Sequence, residues 1–349
     1  MDILSFYLVY LVPFSVIAGY MLGGAYTFLT PVVVFLIVPL LDIVIGKDTG
    51  NIPEDRTREM EEVFGYRLAT WFCAPVQMGL VFWGAYVVTY EELTFLECCG
   101  FVFSMGTSSG VLGINVAHEL AHRVNTKLEP GLSRLMLWSV LYMHWGLEHV
   151  VGHHRMVATP EDPATARFGE SFYRFLPRTV FGGFNSAWSF EAERLGRAGK
   201  PAWSPENRIA VALLFQTSLL ILIALVFGGL ALIYWILQAA IAITLLEIVN
   251  YIEHYGLLRK QTGENRYEPV KPRHSWNSSN WLTNRFLFNL QRHSDHHYKP
   301  GRRYQVLRHH DESPQLPTGY AGMILLAAVP RLWRSVMDPK VEAGRGRSD

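Results

Sequence analysis

The sequence predicts an all-α, polytopic membrane protein with six transmembrane helices and a histidine-rich cytoplasmic cap. Three observations carry that expectation. Half of the 349 residues are hydrophobic, with a mean hydropathy of +0.15. Six apolar runs recur at Ile3 to Leu22, Phe28 to Ile45, Arg67 to Val88, Phe95 to Ala117, Ile209 to Phe227 and Leu230 to Val249. Each is near the ~20 residues with which a helix crosses hydrocarbon. Nearly all of the 13 histidines fall between or after these runs, in two polar blocks.

The first run has neither the basic leader nor the small-residue cleavage site of a signal peptide, and a second follows at once, so it reads as a permanent span. Lys47, Arg56, Arg58 and Arg67 crowd the connection between spans two and three. The connections at Gly23 and Gly24, at Glu91 to Glu97 and at Gly228 and Gly229 carry no basic residue. The positive-inside bias then puts both termini, the segment from Arg123 to Arg208 and the tail from Arg259 onward in the cytoplasm. The chain divides accordingly into 1–122 (spans one to four), a cytoplasmic or interfacial insert 123–208, 209–255 (spans five and six) and a C-terminal cap 256–349. Cys73, Cys98 and Cys99 lie in or beside spans and read as small apolar residues. A net charge of +1 gives no indication of nucleic acid. The segment Met323 to Met337 is too short for a seventh span and holds two arginines, which predicts an amphipathic interfacial helix.

Four motifs hold nine of the histidines. "HELAH" ends span four with His118 and His122 one turn apart on one helix face, a metal-ligand spacing. Alone it would also suit a membrane zinc protease with Glu119 as general base. "EHVVGHH" places His149, His153 and His154 at i, i+4 and i+5, after an apolar stretch from Leu132 to Leu147 suited to the membrane surface. "NYIEHYG" closes span six with His254. "LQRHSDHHYKP" places His293, His296 and His297 at i, i+3 and i+4, on a helix expected to start near Ser278 to Asn280. At 1.5 Å per residue, His118 and His254 each stand roughly 35 Å above the start of their spans, so the motifs can meet at one level. A metal transporter would instead string its ligands along a path through the bilayer. Clustered ionisable groups beside a membrane are by default a functional-site hypothesis.

Nine imidazoles are too many for one ion and imply two metals with four or five histidines each. Imidazole suits iron, copper, zinc and nickel alike, and ligand type does not choose among them. An acid accompanies each motif: Glu119, Glu148, Glu253 and Asp295. Neighbouring residues diverge by about 100° around a helix, so each acid is expected to orient a histidine of another motif and offset metal charge. His144, His274, His309 and His310 are read as ordinary polar residues.

In their order, "HELAH", "EHVVGHH" with its continuation "RMVATPEDPATARFGE", "NYIEHYG" and "LQRHSDHH" followed by "RRYQVLRHH" closely resemble the bacterial integral-membrane alkane monooxygenases. The likeness runs from span one to Arg308. It departs from the family pattern at Ala121, where glycine is expected, and at Tyr298, where a smaller residue is usual. The resemblance implies a non-haem enzyme of the bacterial cytoplasmic membrane with two iron ions, which uses dioxygen and two electrons to turn medium-chain n-alkanes into 1-alkanols. Rubredoxin, fed by its reductase, would deliver the electrons. The implied metal ligands are His118, His122, His149, His153, His154, His254, His293, His296 and His297. A membrane fatty-acyl desaturase or a xylene-type hydroxylase is the alternative, separable by product.

An alkane offers no polar handle, so its binding must come from buried apolar area, about 0.8 kcal/mol per methylene. Span four is rich in small residues, among them Gly106, Gly110 and Gly113, which fit close helix packing and a substrate tunnel equally. Trp71, Phe72, Trp83 and Phe103 are candidates for limiting the depth of such a tunnel. Lys299, Arg302, Arg303 and Arg308 form a basic segment suited to docking an acidic electron carrier or, equally, to anionic lipid headgroups.

Overall fold

A computed structural model describes residues 2–264 and 266–345. Among the described residues, six helices are long and apolar enough to cross a membrane: Ile3–Leu22, Gly24–Ile45, Phe64–Tyr90, Phe95–Ala121, Arg208–Phe227 and Gly229–His254. The chain is a mainly helical, multi-pass membrane protein, with one two-stranded hairpin pairing Gln261–Gly263 with Arg266–Tyr267. Local signals set the span starts. Thr94 and Glu97 form a reciprocal cap on span four, and the Asn207 side chain accepts from the Ile209 and Ala210 amides at the start of span five. Span six runs five residues past the apolar stretch, to His254, because its last turns bury Glu247, Asn250 and Glu253 against protein. Side chains such as Val44, Leu214, Leu225 and Leu230 stand exposed around the bundle, as a lipid-facing surface requires.

Spans four and six form the central seam. A Cβ placed on Gly106 would lie 2.5 Å from Ile241 Cβ, and one on Gly84 would lie 2.1 Å from Tyr234 Oη. Glycine lets span four approach span six closely at Gly106, and Gly84 of span three leaves room for the Tyr234 side chain.

All the sequence-identified histidines lie at one end of the bundle. There Phe6 stacks among Tyr66, Phe288 and Tyr304, which joins the first span to the cap. The buried Arg292 guanidinium donates to the carbonyls of Asp48, Gly50 and Leu307, and Arg123 donates to those of Gly301 and Arg302. The connection between spans two and three is thereby pinned onto the cap. The connections without basic residues gather at the opposite end, where Glu97 accepts from the Gly24 amide and Thr89 donates to Phe227 O.

Among the described residues, three stretches of π-helix interrupt the α pitch, at Val33–Ile37, Ser109–Ile114 and Glu148–His153. Each contributes at least one residue to the same cavity, described below. The insert folds as helices Leu128–Ser139, Met143–Leu147 and Phe172–Arg197.

Two helical expectations change. The helix beginning beside Asn280 is Trp281–Phe286 and carries no histidine of the third motif. Its capping position makes no side-chain bond to the helix, since Ser278 Oγ donates to Asn280 Oδ1 instead. Phe288 and Asn289 then turn the chain at positive φ, 51° and 56°, and the histidines ride on a separate helix, His293–Tyr298. The expected interfacial helix over Met323 to Met337 is two helices, Tyr320–Ala327 and Pro330–Arg345, broken at Val329 before Pro330. Their apolar faces, with Met323, Trp333 and Met337, are buried against Tyr251 and Tyr255 of the sixth span and its end, so the amphipathic pattern is satisfied by protein.

Candidate metal centre

The nine histidines of the four motifs converge as two groups. His118, His122, His149, His154 and His296 form one; His153, His254, His293 and His297 form the other, each with its potential ligand atoms within 4.8 Å of one another. Within the first, His118 Nε2 lies 2.9 Å from His296 Nε2, and His154 Nε2 lies 3.1 Å from His149 Nε2 and 3.0 Å from His296 Nε2. Within the second, His293 Nε2 lies 3.2 Å from His254 Nε2 and 2.9 Å from His297 Nε2. The groups touch where the rings of His154 and His297 stack at 4.3 Å.

This donor set fits a cation. Imidazole nitrogens that all turn one edge inward cannot satisfy one another, because each neutral ring has one donor and one acceptor. His153 Nε2 is buried without a hydrogen-bond partner. Burial, reinforced by the neighbouring imidazoles, holds His122, His149, His154, His293, His296 and His297 well below the usual imidazole range. They are therefore neutral, which is the form that ligates metal.

The π segment Glu148–His153 and the histidine after it aim one motif at both groups, with His149 and His154 in the first and His153 in the second. The third motif divides in the same way, His296 to one side and His293 and His297 to the other.

The four acids behave differently from one another. Glu253 Oε1 lies 3.1 Å from His293 Nδ1, without hydrogen-bond alignment, and accepts from Tyr320 Oη at 2.7 Å. Asp295 binds Arg302 and His310, the latter outside the nine. Glu119 is held by Arg123 at 2.7 Å and orients no histidine. Being so engaged, and with His118 and His122 joined by three further imidazoles, it is not the free base of a zinc protease. Glu148, pushed up by burial first and Asp162 next, accepts a long 3.4 Å bond from Ser186 and bonds no histidine. The reason is common to the last three: a helical neighbour of a histidine points away from the cage, toward whatever packs behind it.

The sequence reading missed Asp162. Its Oδ2 accepts from His153 Nδ1 at 2.9 Å and from Thr165 Oγ1 at 2.6 Å, while Oδ1 accepts from the Ala164 amide at 3.0 Å. Burial opposes both charged forms, but the pairing outweighs it, raising His153 and lowering Asp162. The signal was an acid in a proline-flanked turn shortly after three histidines.

An apolar cavity with about 880 Å3 of empty space, part of it open to the surroundings, ends on the two groups. His118, His149 and His293 border it, beside Val34, Val111, Leu246, Phe286 and Ile324. Of the expected channel residues, Gly110 alone lines it. Gly106 meets Ile241 and Gly113 faces Gln77, so both serve helix packing. Trp71 donates to Glu129; Phe72 and Phe103 are outward-facing; Trp83 packs on Tyr20 and Phe101. The cavity runs between spans two, four and six, on a different side of span four from these aromatics.

The basic segment also departs from expectation. Arg302 is buried on Asp295 and Glu54, Arg303 pairs with the buried Glu129 at 2.8 Å, Arg308 binds Glu54 at 2.7 Å, and Lys299 stands 3.9 Å from Glu54. The three arginines clamp the cap to the preceding loops, and Lys299 is the one exposed charge of the four.

Comparison with known proteins agrees with this geometry. The fatty acid desaturase family model matches residues 94–327. Alkane 1-monooxygenase 2 of Pseudomonas aeruginosa is 46% identical over 92% of this chain and 85% of its own length. Alkane 1-monooxygenase of Acinetobacter baylyi is 42% identical over 89% of this chain and 76% of its own. The xylene/toluene monooxygenase hydroxylase component of Pseudomonas putida is 29% identical over 95% of this chain and 87% of its own.

Proposed function

Because the chain belongs to the alkane 1-monooxygenase family, within the wider fatty acid desaturase family, and is a membrane oxidoreductase, we propose that it hydroxylates the terminal methyl of medium-chain n-alkanes to 1-alkanols. The observation that carries this reading is the pair of imidazole groups at the end of an apolar cavity. The overall reaction consumes one alkane, one dioxygen, two electrons and two protons, and yields one alkanol and one water.

In this reading His118, His122, His149, His154 and His296 hold one non-haem iron and His153, His254, His293 and His297 hold a second. Together these ions supply the activation of dioxygen that an unactivated C–H bond demands. The protein contributes the rest. Val34, Val111, Leu246, Phe286 and Ile324 bind the chain through apolar area and keep water from it, at about 0.8 kcal/mol per buried methylene. Asp162 fixes the tautomer of His153 so that Nε2 faces inward, and Glu253 stands behind His293. The parts 1–122 and 209–255 would then supply the cavity walls together with Phe286 and Ile324 of the part 256–349, and the parts 123–208 and 256–349 would close the metal site from above.

We place the site and both termini on the cytoplasmic side of a bacterial inner membrane, since the histidine end also holds the basic loops. Reduced rubredoxin, itself fed by a reductase, is the proposed donor. The test is purified protein in lipid nanodiscs with octane, dioxygen and reduced rubredoxin. Iron near two per chain with 1-octanol formed supports the reading. A double bond, an aromatic alcohol formed from xylene in preference to octanol from octane, or bound zinc without oxidation would overturn it.

A further inference from the structure

Glu247 stands in the sixth span, seven residues and so roughly 10 Å before His254, and neither the metal groups nor the alkane cavity accounts for it. It is 1% exposed. Its Oε1 accepts from Tyr142 Oη at 2.9 Å, and its Oε2 from Thr179 Oγ1 at 2.9 Å and Asn250 Nδ2 at 3.1 Å. A carboxylate at that depth costs several kcal/mol even when well bonded, and such groups commonly mark ion or proton routes.

The surroundings give it a task. Three pockets adjoin in series. The outermost opens among Arg155, Glu161, Ser186 and Phe190. Glu148 and Pro163 line both it and an inner polar pocket, which also holds Tyr142, Thr179, Glu247 and Asn250 and has room for about one water. Trp145 and Asn250 line both that inner pocket and the apolar cavity. The remainder of the apolar cavity's wall is largely hydrocarbon, so water has little to bind there.

We infer that Glu247, with Tyr142, Thr179 and Asn250, is the relay through which protons reach the reaction site from the water at the outer pocket. The inference rests on the proposed hydroxylation. That reaction takes up two protons for each dioxygen and pair of donor electrons, one oxygen atom leaving as water, and its substrate cavity excludes the solvent that would supply them. Glu247 passes a proton to water in the inner pocket, on the side where Asn250 borders the apolar cavity, and is reprotonated from the outer side, with no net change in itself.

Two measurements test it. X-ray radiolytic labelling of the metal-free protein should oxidise Tyr142 through water held in the inner pocket; an unlabelled Tyr142 beside labelled surface tyrosines would overturn the relay. Glu247→Gln with wild-type iron content should lower alkanol formed per electron at least about tenfold, release hydrogen peroxide instead, and change the solvent deuterium isotope effect. Wild-type coupling and an unaltered isotope effect in that variant would likewise overturn it. If the wild-type enzyme forms no alkanol, the hydroxylation reading fails, and the labelling result still decides whether the wet path exists.

Discussion

Replacing Asp162 by asparagine exchanges one oxygen for an amide nitrogen and should weaken the hold on the second metal. His153 donates from Nδ1 to Asp162 Oδ2 at 2.9 Å, which leaves the Nε2 lone pair facing His254, His293 and His297. An amide nitrogen at the Oδ2 position donates where the carboxylate accepted. It would drive the proton to Nε2 and block the ligand atom. Turning the amide over does not help, since its NH2 would then face the Ala164 N–H that now donates to Oδ1. Loss of such an outer partner typically costs 10–100-fold in metal affinity, or about 1.4 to 2.7 kcal/mol. The assay is iron per chain across a chelator titration of protein purified in detergent. Asp162→Asn should surrender half its iron at a chelator concentration about 10–100-fold lower than wild type, while remaining folded. A superimposable titration would refute the argument that Asp162 sets the ligand tautomer.

Other perturbations follow from packing and charge. Val111→Trp fills part of the apolar cavity, so each methylene it excludes should cost about 0.8 kcal/mol, roughly fourfold in kcat/KM; octane-to-dodecane competition should tilt toward the shorter chain, and an unchanged ratio would mean the substrate lies elsewhere. Gly106→Leu collides with Ile241 on the span six seam, where overpacking costs about 1 to 3 kcal/mol. Its thermal transition in detergent should fall, and an unaltered one would contradict the close approach. Arg303→Ala leaves Glu129 buried without its charged partner, a loss of roughly 3 kcal/mol. Its melting temperature should drop whether or not an electron donor is present, whereas an unchanged melting temperature with a raised KM for rubredoxin would restore the docking role.

The membrane architecture was legible because hydrocarbon imposes a length and a composition on every span, and the six runs from Ile3 to Val249 met both. The meeting of the nine histidines was legible because i, i+4 spacing fixes a face and span length fixes a depth. Where several faces of a helix are apolar, the pattern no longer says which one looks inward. Val34, Leu246 and Ile324 therefore gave no sign of lining the cavity, while Trp83 and Phe103 gave a false one. Pairings across long separations were equally silent: Arg303 finds Glu129 and Arg302 finds Glu54 only after the cap has folded over the loops. Asp162 was hidden for another reason. Its orientation depends on a turn in which Asp162 N donates to Thr159 O and Thr165 N to Asp162 O, and such turns have no periodicity to read.

The widened turn at Ser109–Ile114 sets the azimuth of everything that follows it in span four. Because a widened turn absorbs about one extra residue, forcing the same residues to regular pitch would rotate its end by about 100°. His118 and His122 would swing away from His296 and His149, and span four would gain continuous hydrogen bonding while the protein lost two corners of its cage. The more regular helix would be the inert one, so the irregularity is held in place by what it aims.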